Sequence, residues 1–185
     1  MIFLLVILII IVVPVVYLIV IYNTLVRIRQ RVKNAWSQVD VQLKRRHDLI
    51  PNLVEIAKKY MAHEQETLEK VIKARNMASG ADGVGQKKEA ENFLTGTLKS
   101  LFSVAENYPN LKADTQMLAL QEQLTSTENK IAFARQFYND EVMRLNTQIE
   151  VFPANQVAAM LNFSKEDFFE IEDASEKKAP KVDFK

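Results

Sequence analysis

The chain has 185 residues, of which 48% are hydrophobic and 25% are charged, and its formal net charge is +1. That length suffices for one folded domain with its own core, in addition to any membrane segment. The absence of cysteine excludes a disulfide framework, a thiol nucleophile and a cysteine-ligated zinc site.

An unbroken apolar run opens the chain, from Met1 to Tyr22. As a helix with a rise of 1.5 Å per residue it would be about 33 Å long, enough to cross the roughly 30 Å hydrocarbon core of a bilayer. Pro14 lies within the run and is tolerated in a membrane helix. The charged start and the small residues at a cleavage site that mark a signal peptide are missing. We therefore predict that residues 1–22 are a transmembrane anchor.

Basic residues follow the apolar run directly, beginning with Arg27, Arg29, Arg31 and Lys33. Because all lysines and arginines lie after the run, the positive-inside rule predicts an outside N-terminus and a cytoplasmic domain at the inner membrane. Such a basic neck is attracted to anionic lipid headgroups, so a lipid membrane is an expected partner. Nucleic acid is not expected, because the rest of the chain is net acidic and no basic and aromatic groove pattern occurs.

Glycine and proline are scarce and mark the predicted element boundaries. The first helix is predicted to run from the membrane to about residue 47. Asp48 and Pro51 indicate that a second helix begins here, with Asp48 as its N-cap and Pro51 in its first turn. Asp114 is predicted to cap the fourth helix. The four helices after the first are predicted at about 49–78, 87–107, 114–151 and 154–161, with a glycine-rich surface turn between the second and the third.

The sequence predicts an all-α fold, because strand alternation and hairpin turns are absent. The fourth helix has an apolar residue every seven positions, which is typical of a helix packed along its whole length: Met117, Leu124, Ile131, Tyr138, Leu145 and Phe152. With short loops, this pattern predicts an elongated antiparallel up-and-down helical bundle whose first helix is continuous with the N-terminal transmembrane helix. The predicted domains are the anchor at 1–22, the bundle at 23–163 and a charged, largely disordered tail at 164–185.

Charged residues interrupt the apolar stripes of the predicted helices, so several charges are expected to face inward. These residues are Arg46, Glu64, Arg75, Glu106, Glu128 and Arg135. Buried charges must pair, and the first interpretation is an internal ionic network that sets the register of the helices. The alternative is a polar pocket or a partner-binding stripe that is exposed on one side of the bundle.

No constellation of catalytic residues occurs in the sequence. A di-iron bundle needs Glu-x-x-His on two helices, but Lys44 and Tyr60 stand three residues before the two histidines. His63 has no second histidine at zinc-binding spacing, and nucleophile elbows and phosphate-binding glycine loops are missing. We therefore predict no catalytic residue, no cofactor and no metal, and we expect that the protein is not an enzyme.

Several segments resemble the signature of LemA proteins. They are NAWSQVDVQLKRR at 34–46, DLIPNLVE at 48–55, ENYPNLK at 106–112, and the stretch from 128 through 139, with Phe-Pro at 152–153. The resemblance covers nearly the whole chain and implies a bacterial single-pass membrane protein with a helical-bundle domain and no established enzymatic activity. It also implies associations with a membrane-bound metalloprotease and, in a related branch, with membrane invagination in magnetosome formation. It supplies no site residue, because the shared charged positions have no agreed role.

Three functions of different kinds fit these observations. The first is a non-enzymatic membrane scaffold that forms homo-oligomers, binds other membrane proteins, and organises or shapes the membrane. The second is an adaptor for a membrane metalloprotease in the quality control of membrane proteins. The third is a sensor that binds a small ligand at the internal charged stripe. We favour the scaffold, because an anchor that continues into a long bundle offers side surfaces for lateral packing.

Overall fold

The computed structural model describes residues 2–170, so most of the predicted charged tail lies outside the described residues. Within this range the chain is all-α, as predicted, and shows no strand. The helices are α1 (Ile2–Tyr60), α2 (Gln65–Gly80), α3 (Gly83–Ala105), α4 (Pro109–Lys112), α5 (Thr115–Glu150) and α6 (Ala154–Met160). The prediction that the first helix is continuous with the apolar run is also confirmed.

The start of α1 has the length and composition of a membrane span, and it is the one helix between residues 2 and 170 with both properties. Its most apolar window has a mean hydropathy of 3.6. The large apolar side chains from Ile2 to Val20 are between 40% and 77% exposed. An exposed apolar surface of this extent on a helix fits hydrocarbon rather than water.

The described chain divides into two compact units. Unit 1 comprises residues 2–40 and 133–168, and it contains the first part of α1, the last part of α5, and α6. Among the described residues, unit 2 comprises 41–132 and 169–170, and it contains α2, α3 and α4 with the remaining parts of α1 and α5. Its core is a cluster of buried side chains to which all five of these helices contribute, for example Leu53, Val71, Leu101, Leu111 and Met117.

The seven-residue pattern of α5 predicts the buried side chains of this helix correctly, except at its last position. Met117, Leu124, Ile131, Tyr138 and Leu145 are all buried. Phe152, in contrast, is 81% exposed. The prediction for this residue is wrong because α5 ends at Glu150, and a helical period does not carry through the turn that follows.

The predicted helix boundary at Asp48 and Pro51 is wrong, since α1 continues through both residues to Tyr60. Pro51 has no N–H, so the carbonyl of His47 four residues earlier lacks its usual helical donor. Arg75 of α2 supplies that donor, with its Nε 3.2 Å from the His47 carbonyl oxygen. The helix tolerates the proline because a side chain from a neighbouring helix replaces the missing hydrogen bond.

We expect Arg75→Ala to lower the free energy of unfolding by about 1–3 kcal/mol, because it leaves a carbonyl in the helix interior without a donor. In a Pro51→Ala background the new backbone N–H can bond to the His47 carbonyl, so the same arginine substitution should cost clearly less. A double-mutant cycle on the full chain in detergent measures this difference. If Arg75→Ala lowers the free energy of unfolding equally with and without Pro51, Arg75 does not replace the missing backbone donor.

The true end of α1 carries neither glycine nor proline. The chain turns at residues 61–64, where the side chain of Met61 is buried and the amide of Glu64 donates to the Met61 carbonyl, 3.0 Å away. α2 therefore begins at Gln65 instead of residue 49. Because main-chain bonding and one buried methionine hold this turn, no pattern of turn-forming residues marks it.

The next boundaries lie close to the predicted ones, with two differences. α3 begins at Gly83, four residues earlier than predicted, and this glycine has a φ of 74° that other residues rarely adopt. The short helix α4 was not predicted. Asp114 caps α5 as predicted, since its Oδ1 accepts the amides of Gln116 and Met117 at 2.8 and 3.0 Å. The Met117 amide, followed by the Tyr60 hydroxyl, lowers the pKa of Asp114.

In unit 1, α5 holds the chain that follows α6. The side chain of Asn146 bonds to both the carbonyl and the amide of Glu166, each at 3.0 Å. Burial raises the pKa of Tyr138 to about 12, and its hydroxyl donates to the Asp167 carbonyl, 2.9 Å away. Residues 166 and 167 are thus bonded to α5, although the sequence predicts that the disordered tail begins at 164. Composition gave no sign of these bonds, because they use the main chain of the segment.

Candidate functional site

A guanidinium is buried between three helices of unit 2. Arg46 of α1 is 1% exposed, and its two terminal nitrogens bond to side chains of two other helices. Nη2 pairs with the carboxylate of Glu91 on α3. Nη1 lies 2.7 Å from Oε2 of Glu128 on α5 and 3.3 Å from the hydroxyl of Thr95 on α3. This residue therefore ties α1 to both α3 and α5.

Glu91 is the most buried acid of this cluster, with its side chain fully covered. Its second oxygen, Oε1, lies 2.6 Å from Nε2 of His47, the neighbour of Arg46 on α1. Burial acts to raise the pKa of Glu91, but the hydrogen bond to His47 and the charge of Arg46 together outweigh it. The pKa of Glu91 is therefore below its ordinary value of 4.5, and the group is ionised at neutral pH. We call Arg46, His47, Glu91 and Glu128 the ionic cluster.

The structure places two of the six predicted inward charges in the ionic cluster, and the other four lie outside that cluster. Arg46 and Glu128 form an ion pair, although the side chain of Glu128 is 47% exposed. Glu64 accepts a hydrogen bond from the hydroxyl of Tyr108 at 3.1 Å. Arg75 bonds to the His47 carbonyl, Glu106 is exposed, and Arg135 is half-buried in unit 1.

The prediction missed two members of the ionic cluster. Glu91 precedes Leu98 by seven residues and Ala105 by fourteen, and all three are buried on α3. Extending the apolar stripe of α3 toward its N-terminus would therefore have revealed an inward acid. His47 gave no such signal, because its role depends on an oxygen from a different helix.

A cavity of about 530 Å³ adjoins the ionic cluster in unit 2. Apolar side chains of α3, α4 and α5 line most of it, including Leu98, Phe102, Leu111 and Leu124. Arg46 and Glu128 also line it, together with the charged side chains Lys99, Glu106 and Lys112. Its volume is within the range of small-molecule sites, and its lining combines an apolar wall with a few charged groups.

The cluster has the chemistry of a structural or binding site. Both oxygens of Glu91 are engaged by cations or imidazole, so neither is placed to accept a proton from a substrate. Between residues 2 and 170, no group of three or more histidine, aspartate or glutamate side chains is placed to hold a metal ion. The arrangement can hold helices together and present charge at the wall of the cavity.

The predicted basic neck lies on α1 within unit 1. Arg27, Arg31 and Lys33 are exposed, whereas Arg29 is half-buried with its Cζ 4.8 Å from the centre of the Phe163 ring. Three of the four basic side chains are therefore exposed just after the apolar run, and the fourth packs on an aromatic ring.

Comparison with known proteins identifies relatives along most of the chain. The chain is similar to Protein LemA of Metamycoplasma hominis, with 28% identity over 144 residues, which covers 76% of this chain and 64% of the relative. It is also similar to the magnetosome proteins MamQ 1 and MamQ 2 of Paramagnetospirillum magneticum, each 24% identical over 175 residues, with 80% of this chain and 64% of the relative covered. The chain thus spans a little under two thirds of the length of these relatives.

The resemblance seen in the sequence is confirmed by the family comparison. The model of the LemA family matches residues 35–184, which include the whole of unit 2 and the ionic cluster. The apolar run at the start of α1 lies before the matched region. The chain belongs to the LemA family.

Proposed function

We propose that the chain is a non-enzymatic membrane scaffold, anchored by the apolar part of α1, that assembles laterally with copies of itself. The observation that carries this proposal is the 59-residue helix α1. The same helix contains the apolar span and side chains that are buried in each unit, such as Val32 and Val39 in unit 1 and Leu43 and Leu53 in unit 2. Because one helix forms both the anchor and part of each core, the folded units stay at the membrane surface, where a scaffold acts.

The orientation that the proposal assumes follows from charge. The basic side chains Arg27, Arg31 and Lys33 lie just after the span, and such residues favour the cytoplasmic side. The helical units are therefore proposed to lie in the cytoplasm at the inner membrane. Protease added to right-side-out vesicles should then leave the units intact, and digestion from outside would contradict the orientation.

The relatives support an association with a membrane. Two of them are named as magnetosome proteins, and a third is named LemA. By similarity we extend to this chain an association with a membrane, and the role as a scaffold is our own proposal.

Two large apolar side chains are exposed on α5 in unit 1. Phe133 and Phe137 are one helical turn apart, and they are 73% and 44% exposed. Residues four apart lie on the same face of a helix, so the two rings form one apolar patch. We propose a second copy of the chain as the partner of this patch, because the anchor confines all copies to the same membrane plane, where the same apolar patch on two copies can meet about a two-fold axis.

Self-association is tested on the full chain in mild detergent by native mass spectrometry and chemical crosslinking. We expect oligomers for the natural chain and mainly monomers for the Phe133→Glu, Phe137→Glu double variant, since charge opposes burial of the patch. Ser126→Glu, an exposed position of α5 in unit 2, is the matched control and should leave the oligomers unchanged. Monomers alone for the natural chain would contradict the scaffold proposal.

A second candidate function is the binding of a small ligand in the cavity of unit 2. The observation in its favour is that three cationic side chains, Arg46, Lys99 and Lys112, line the cavity beside its apolar wall. A small molecule with an apolar body and an acidic group would fit this combination. Native mass spectrometry of protein purified from membranes should then show a retained small molecule, which Leu98→Trp, by filling the cavity, should remove.

A further inference from the structure

The chain between α5 and the end of the described residues contains a segment without charge. Residues 151–164 include no aspartate, glutamate, lysine or arginine. The flanking residues Glu150 and Lys165 form an ion pair with each other. The chain as a whole is 25% charged, so a stretch of this length without charge is unusual in it. The ion pair holds the two ends of the stretch together.

This uncharged segment packs on α1 where the exposed apolar run ends. The buried face of α6, formed by Ala154, Val157 and Ala158, belongs to one cluster with Ile21 and Leu25 of α1. Ile21 directly follows the exposed aliphatic side chains that extend from Ile2 to Val20. α6 therefore lies beside the turn of α1 at which the candidate span ends.

The other side of the segment exposes large apolar side chains. Phe152 is 81% exposed, Met160 78%, Leu161 48% and Val151 42%. α6 ends in a turn at Asn162, which has a φ of 56°, and the Phe163 amide bonds back to the Ala158 carbonyl at 3.0 Å. This turn directs Phe163 back toward α1, and it leaves the side chains of Met160 and Leu161 uncovered.

The groups around Phe163 are those found at the boundary between lipid and water. Its ring meets Tyr22 edge-on with 6.4 Å between the ring centres, and Arg29 lies over it. Tyrosine and arginine each combine an apolar body with a polar end, and they are favoured at the level of lipid headgroups. The end of the candidate span and the uncharged segment thus meet at side chains of this kind.

We propose that residues 151–164 are a second membrane contact, which inserts Phe152, Met160 and Leu161 into the boundary between headgroups and acyl chains beside the point where α1 leaves the bilayer. This inference rests on the membrane anchoring in the proposed function. Lipid is the occupant that the observations favour, because the exposed side chains continue the apolar surface of the span and no charge interrupts them. A protein partner is the competing occupant, and the experiment separates the two.

The natural chain has no cysteine, so single cysteines can be labelled without background. The variants Phe152→Cys and Met160→Cys carry an environment-sensitive fluorophore at the proposed contact. Both side chains are exposed, so these changes remove no packing. Leu8→Cys reports the span, and Ser126→Cys reports a water-exposed position of unit 2. Each variant is reconstituted as the full chain in vesicles of phosphatidylcholine and phosphatidylglycerol.

We expect the labels at 152 and 160 to emit at shorter wavelength than the label at 126. Nitroxide groups on the lipid acyl chains should quench them strongly, whereas aqueous iodide should not. The label at 126 should show the reverse. Quenching by iodide at 152 and 160, with the label at 8 quenched by nitroxide, would overturn the second contact and leave the anchor intact.

Protection of both contact labels from iodide and also from nitroxide would overturn the proposal in favour of a protein that covers the segment. If the label at 8 escapes nitroxide, the anchoring itself fails, and the second contact fails with it. The double variant Phe152→Asp, Met160→Asp adds an independent measurement. In that background, a label at Leu161→Cys should lose its quenching by nitroxide, and persistence of that quenching would contradict the role of the two side chains.

Discussion

Replacement of Arg46 with alanine is expected to lower the free energy of unfolding by about 3–5 kcal/mol, because it leaves the carboxylate of Glu91 buried without its cation. Arg46 is 1% exposed and joins side chains from α3 and α5. A denaturant titration of the full chain in detergent measures the loss. A change of less than 1 kcal/mol, or about a fifth of the expected maximum, would contradict a buried pair.

Two further variants separate the loss of the pair from the loss of charge alone. Lys70→Ala removes an exposed ion pair with Glu66 on α2, and it should leave the melting temperature unchanged. The double variant Arg46→Met, Glu91→Leu replaces both buried charges with apolar groups of similar size, so it should recover most of the stability that Arg46→Ala loses. If the double variant stays as unstable as Arg46→Ala, the ionic cluster stabilises the fold by more than the mutual compensation of its two charges.

Acid is expected to destabilise the natural chain through Glu91, and Glu91→Gln should remove this part of the pH dependence. The pKa of Glu91 in the folded chain lies below its ordinary value of 4.5. Its contribution to stability is therefore complete above pH 4.5 and is lost as the pH falls through the lower pKa of the folded state. Melting temperatures measured from neutral to acidic pH test this directly.

The glutamine variant should be less stable than the natural chain at neutral pH, since a neutral amide does not balance the charge of Arg46. The difference between the two proteins should shrink in acid, because the natural chain then loses the same charge. Exposed acids such as Glu66 titrate in both proteins and cancel in the comparison. If the melting temperatures of the two proteins differ by the same amount at every pH, Glu91 is not the source of this pH dependence.

Most of the fold could be predicted from local pattern, and the errors have identifiable physical causes. The seven-residue spacing from Met117 to Leu145 predicts the buried face of α5, because that spacing measures one side of a helix. The pattern fails at Phe152 because α5 ends two residues earlier. Pro51 was interpreted as a helix start, although the donor that lets α1 continue belongs to Arg75, which lies 24 residues further along the chain.

The candidate site could be predicted only in part. Arg46 and Glu128 were expected inside because each interrupts an apolar stripe, and both belong to the ionic cluster. Glu91 was accessible to the same reasoning but was missed. The remaining geometry could not be derived, because the pairing of His47 with Glu91 depends on how α1 and α3 face each other. Sequence periodicity gives the side of a helix that is buried, but it does not give the partner.

The proline in α1 also restricts how α2 can be aligned. The carbonyl of His47 has no helical donor because of Pro51, and the side chain of Arg75 donates to it instead. If α2 slid by one helical turn, about 5.4 Å, aliphatic contacts could re-form with other partners, but the guanidinium would no longer reach this oxygen. The missing hydrogen bond in α1 therefore favours one alignment of α2 over others. Apolar side chains alone would pack about equally well in several alignments, but only this one pairs the His47 carbonyl with Arg75.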